Sequence, residues 1–295
     1  MSHPALTSIL FFAFILVAAL FVGPRSESIQ AQVPAAAGAG VDPSKLPDVE
    51  GIHLGMSIEN ASAIMKSLFP AGSHTLTATA SKFLNTADKV WITSMTGTLS
   101  NGCTGCQEQV IVKFSMPPNP QQVIDIQRAI VFGANKQPPM DATIAGLRKK
   151  YGPETIKTVP DPVQYFAWLY DEQGKLLPAT PQFGRGCAGS IVGPPLGGDP
   201  THPNSVGFAL ATAPVTPSSV AAMMRDPCRS HVHVSAQVSP SSPTLPLVHI
   251  LDIHMSENAL DTRDIIAAQK YLDAVSTAKK QQDLKKAQQQ AAPSL

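Results

Sequence analysis

The side chains with chemical potential fall into two groups, cysteines and histidines. There are four cysteines, Cys103, Cys106, Cys187 and Cys228. An even count suits disulfides if the chain reaches an oxidising space. Four cysteines allow three connectivities. The expected pairing is Cys103–Cys106 at a turn and Cys187–Cys228 across a long loop. The second bridge would close a loop of about 40 residues, for roughly 3–4 kcal/mol in the chain-entropy picture. Cys103-Thr104-Gly105-Cys106 also has redox spacing. A dithiol oxidoreductase, however, sets that motif at the start of a helix in a βαβ unit, and here strand-like segments flank it.

His231 and His233 stand two apart, so on a strand they share a face. With a cross-strand histidine or carboxylate, such a pair could hold zinc or copper. His249 and His254 lie on the next strand-like segment with Asp252 between them. Their parity is opposite, so only one could join the pair without a bulge. The competing reading makes these histidines solvent-facing positions that alternate with Val232 and Val234. Asp125, Asp141 and Asp161 read as helix or turn residues rather than paired acids. Around Ser190 neither the spacing nor the context makes a nucleophile elbow. The loop glycines Gly184, Gly186, Gly197 and Gly198 precede no phosphate-binding helix. No cofactor is expected.

The elements that must carry these residues are legible in the pattern. Asp48–Pro70 reads as an extended start, a turn at Gly55, a Ser57 N-cap and a helix whose Ile58, Ala61, Ile64, Met65 and Leu68 share one face. Strands are expected at 74–84, 89–99 and 107–116, with residues 100–106 as a hairpin tip. The spacing of Val123, Ile124, Gln127, Ile130 and Val131 predicts a helix over 121–132. A second short helix should start at an Asp141 cap and stop at Gly152-Pro153. Strands follow at 163–170, 206–212, 230–238 and 246–255, interrupted by a Pro/Gly-rich connection over 171–204. Trp168 and its aromatic neighbours read as core. A last helix opens at Asn258 or Asp261, docks through Ile265, Ala268, Leu272 and Val275, and ends in a polar tail.

Composition bounds the whole. The 295 residues are 43% hydrophobic, with 22 Lys+Arg against 21 Asp+Glu. That supports a core and leaves no basic footprint for nucleic acid. Ile9–Val22 is an apolar run of signal-peptide length, and residues 28–31 offer a small residue for cleavage after Ala31. Met1–Ser8 carries no Lys or Arg, which leaves an uncleaved anchor as the second reading. Either way the remainder should be extracytoplasmic, periplasmic or secreted. Membrane contact is then expected only through the N-terminal segment, if it is retained.

The expected organisation is a signal peptide over 1–31, a linker over 32–47, a helix-sheet unit over 48–118, a second over 119–256 with the long loop 171–204, and a C-terminal helix and tail over 257–295. The fold class is α+β: two helix-plus-antiparallel-sheet units with a helical C-terminal tail. Met56-Ser57 and Met140-Asp141 occupy matching places before the two helices.

Gly51-Ile52-His53-Leu54-Gly55-Met56-Ser57, followed by Ala61 and Leu68, resembles the glycine-methionine-serine helix start of the SmpA/OmlA-type outer-membrane assembly lipoproteins. It also resembles the related beta-lactamase-inhibitor-protein-like fold. The motif covers about 20 residues, and no lipid-attachment cysteine follows the apolar run. The resemblance implies a helical pair on an antiparallel sheet, in tandem in some members, and a non-catalytic role in binding or envelope assembly. The expected partner is another extracytoplasmic protein; the alternative is a periplasmic metal-binding protein using His231 and His233.

Overall fold

The computed structural model describes residues 46–70, 74–82, 90–100, 104–158, 163–171, 173–179, 232–242 and 244–289. The chain divides into Met1–Ala37 and Gly38–Leu295, and every described residue belongs to the second unit. The expected strand over 206–212, most of the loop 171–204 and the apolar run 9–22 lie outside the described residues. Among those described, no helix is long and apolar enough to cross a membrane.

The architecture is α+β, with one antiparallel sheet of eight strands. Helix α1 (Ile58–Leu68) precedes β1 (His74–Lys82), β2 (Val90–Leu99), β3 (Gln107–Phe114) and β4 (Val123–Val131). Helix α2 (Met140–Tyr151) precedes β5 (Ile156–Thr158), β6 (Gln164–Tyr170), β7 (Val232–Ser242) and β8 (Leu245–Ser256), and a long helix, here α3 (Asn258–Gln289), follows. The strand order is β1-β2-β3-β4-β8-β7-β6-β5. The sheet is continuous because β4 pairs with β8.

Local chemistry sets the first elements. Val49 and Ile52 exchange both backbone hydrogen bonds around Glu50 and Gly51. Both central residues have positive φ, 56° and 79°, the geometry that a two-residue turn matching strand twist requires. Ser57 is extended and accepts from Asn60 N at 3.4 Å, capping α1. The helix buries Ala61 and Met65 against the sheet. Phe69, just past its end, lies against Gly97 on β2, where any Cβ would collide with the ring.

Two local expectations are corrected. Residues 121–132 are not helical: β4 runs through them between β3 and β8. The segment is dense in β-branched Val and Ile, which suit a pleated surface better than a helix. Its alternation is hidden by Arg128, which shares the helix-covered face with Ile126 yet is charged. Arg128 is neutralised there by Glu108, with Nε to Oε1 at 2.8 Å, and by Glu50 of the opening turn. The second correction is the start of α2. Its N-cap is Pro139 with no side-chain cap bond, and Asp141 sits inside the first turn. Gly152 ends that helix at φ 88°.

The core lies between the sheet and the helices. One row across the sheet pairs Met95 with Val112, Ile126, Met255, Val234 and Trp168, and all six are buried. Ile144, Leu147 and Tyr151 of α2 join the same cluster. Trp168 is fully buried, donates from Nε1 to Gly152 O at 2.8 Å, and packs at 5.2 Å from the Tyr151 ring. Helix α3 is attached near its start. The Asp264 carboxylate accepts from Met116 N at 2.8 Å and from Asn119 Nδ2 at 2.7 Å. From Thr277 to Gln289 every residue is exposed, which agrees with a docked beginning and a polar tail.

Candidate functional site

Strand geometry sends alternate residues to opposite faces. The positions beside the buried row therefore form a second row on the other face: Ser94, Lys113, Asp125, Ser256, His233 and Leu169, paired in that order from β2 to β6. The next row runs Thr96, Ile111, Gln127, His254, Ser235 and Ala167. These two rows place an ionisable cluster where β3, β4, β8 and β7 lie side by side.

His254 and Asp125 are diagonal neighbours across β4 and β8, a separation that long side chains can span. His254 Nε2 donates to Asp125 Oδ2 at 2.7 Å. Lys113 Nζ stands 3.3 Å from Asp125 Oδ1. Burial alone would raise the Asp125 carboxyl, but His254 and Lys113 outweigh it and hold the group far below the usual carboxylate range. Burial would likewise lower His254, and the Asp125 charge and hydrogen bond override it, so this imidazole binds its proton more tightly than usual. Beside them His233 Nε2 and Ser256 Oγ share a hydrogen bond of 3.1 Å. The two imidazole rings meet edge to face at 5.9 Å.

The cluster is a charge-neutralised, hydrogen-bonded patch. The side chains of Lys113 and His254 keep 29% and 24% of their surface exposed, so the ion pair can still be touched from outside. Half-exposed Ser94, Thr96, Gln109, Gln127 and Gln237 surround it. This composition offers donors and acceptors over several strands.

The expected site residues fare differently. His233 is on β7 and is 2% exposed, so the solvent-facing reading is corrected for this residue. Val232 and Val234 face the core as expected, but the opposite face is not bare at this end of the sheet, where Ser235 and Ser256 are buried with His233. His254 is the histidine that joins His233, while His249 Nδ1 lies 3.1 Å from Phe132 O. Asp125 is corrected from a helix residue to the carboxylate at the centre of the cluster. Its signal was available: one acid between Ile124 and Ile126 in a β-branched run. His231 lies outside the described residues. Among the described residues no group of three or more His, Cys, Asp or Glu is arranged to hold a metal ion.

Cys106, just before β3, is disulfide-bonded, and its sulfur accepts from Gly133 N at 3.2 Å. Cys103, Cys187 and Cys228 lie outside the described residues.

No family model matches the chain, and neither a curated protein nor a solved structure matches it.

Proposed function

We propose that this chain is an exported, non-catalytic binding or envelope-assembly module that meets a partner protein with the sheet face opposite the α1/α2 core. The observation that carries the reading is the ordered, half-exposed polar surface formed by Ser94, Thr96, Gln109, Lys113, Asp125, Gln127, Gln237 and His254 on five paired strands. A surface of donors and acceptors held by backbone ladders keeps its geometry without a partner, which lowers the ordering cost of association.

The fold in this reading is two units in tandem, each a helix followed by four strands, of the SmpA/OmlA or beta-lactamase-inhibitor-protein-like kind. Three features support it. The order reads outward from the β4–β8 junction as two equivalent series. The β4–β8 register, Asp125↔Ser256 through Arg128↔Ile253 to Val131↔Ile250, is symmetric about its middle pair. The residue before each helix cap is held by its unit's fourth strand, Val123 N to Met56 O and Val248 N to Pro138 O. With β4 in the first unit, the boundary moves from residue 118 to the segment before α2.

Export rests on the apolar run 9–22 and the even cysteine count. N-terminal sequencing of protein recovered from the extracytoplasmic fraction should begin at Gln32; recovery only from the cytoplasm contradicts export. The binding reading is tested by crosslinking in intact cells followed by affinity capture. A specific partner should be retained, and Gln127→Arg should abolish its retention while leaving the circular dichroism unchanged. Equal retention with the arginine in place contradicts the assigned face.

A further inference from the structure

The two ends of the sheet differ. At one end β5 is three residues long, too short to present a useful pairing edge. At the other, β1 runs nine residues, His74–Lys82, and no described strand pairs with its outer side. Thr75, Thr77, Ala78, Thr79 and Ala80 are all exposed. Edge strands of this length are ordinarily blunted by proline, by central charges or by covering segments. Between His74 and Lys82 this strand has neither proline nor charge. The inner register shifts between Thr79 and Ala80, and among the described strands the outer row has no partner. Val90 on the neighbouring β2 is 59% exposed, opposite Lys82.

The sequence His-Thr-Leu-Thr-Ala-Thr-Ala-Ser-Lys is close to self-complementary about Ala78. Paired antiparallel with a second copy on a two-fold axis there, Thr77 faces Thr79, Leu76 faces Ala80 and Thr75 faces Ser81. Threonine–threonine and threonine–serine pairs favour such ladders. Strand addition supplies affinity through main-chain hydrogen bonds, and a two-fold interface closes on itself rather than growing into a fibre. The occupant that fits this edge is therefore a second copy of the chain.

We propose that the protein dimerises by antiparallel pairing of β1 with β1 of a second copy, extending the sheet across the two-fold axis. Thr77 and Thr79 lie on the same face as Thr96 and Ser94, with which they pair on β2. Charges placed on them thus avoid the α1/α2 core.

Sedimentation of the purified protein at ~100 μM, where a micromolar interface is saturated, should give twice the chain mass. Thr77→Glu with Thr79→Glu puts like charges opposite each other across the axis and should return the protein to one chain mass with unchanged circular dichroism. Thr77→Lys with Thr79→Glu makes the same cross-axis pairs attractive and should restore the dimer. A single-chain mass for the unaltered protein overturns the proposal. So does a dimer that survives the double glutamate change, since another surface must then hold it. Failure of the charge swap to restore the dimer overturns the register.

Discussion

Adjacent residues on the same strands make two different surfaces. Met95, Val112, Ile126, Met255, Val234 and Trp168 form a buried apolar row beneath the helices. One position away, Ser94, Lys113, Asp125, Ser256 and His233 form a polar stretch on the other face, which ends at β6 in the buried Leu169. The backbone ladders are common to both, so the contrast comes from side chains alone. It teaches that the apolar face is specified by fit and the polar face by pairing. The first should respond to lost or added volume, the second to lost partners and to pH.

The largest break should come from Trp168→Ala. It removes a fully buried indole, its bond to Gly152 O and its contact with Tyr151. A loss of about 3–5 kcal/mol is expected in urea denaturation. Gly97→Val comes next, because the new side chain enters the space of the Phe69 ring. Overpacking should cost about 1–3 kcal/mol, and Phe69→Ala in the same chain should recover part of it.

Asp125→Asn sharpens the comparison through its pH profile. Asp125 has a folded pKa below its ordinary 3.8, so its contribution is present above 3.8 and is lost as pH falls through the folded value. His254 has a folded pKa above 6.5, so its contribution is complete below 6.5 and is lost as pH rises through the folded value. Both are therefore present from pH 3.8 to 6.5. The variant should lose about 1.5 kcal/mol within that window, and the His254 imidazole should titrate at lower pH by NMR. A His254 titration unchanged in Asp125→Asn would show that the pair is not coupled. Smallest of all, Thr96→Ala, next to Gly97 but on the polar face, should shift stability by no more than about 0.5 kcal/mol.

Much of this fold is written in periodicity. The Ser57 cap, the α1 stripe, the Gly152 stop, the apolar alternation of β3 and the core role of Trp168 follow from spacing and turn chemistry. What escaped has a physical cause in each case. β4 hides its strand pattern because Arg128 occupies a core-side position, where Glu50 and Glu108 neutralise it. The continuity of the sheet depends on β4 meeting β8, a pairing between segments far apart in the chain. The polar cluster escaped for the same reason. Lys113, Asp125, His254 and His233 come from four strands, and no local pattern states that β4 neighbours β8. The tight turn at Glu50-Gly51 interrupts what the sequence reads as an extended start, because the positive φ of Glu50 does not show in the residue type.

The proposed function gives the two sheet faces different partners, the protein's own α1 and α2 on one and a second protein on the other. Photo-crosslinking residues placed singly at Gln127, on the polar face, and at exposed Lys149, on α2, compare them in the intact cell. One discrete crosslinked species is expected from Gln127 and none from Lys149. Crosslinks from Lys149 alone, or the same species from both positions, would contradict the proposed function.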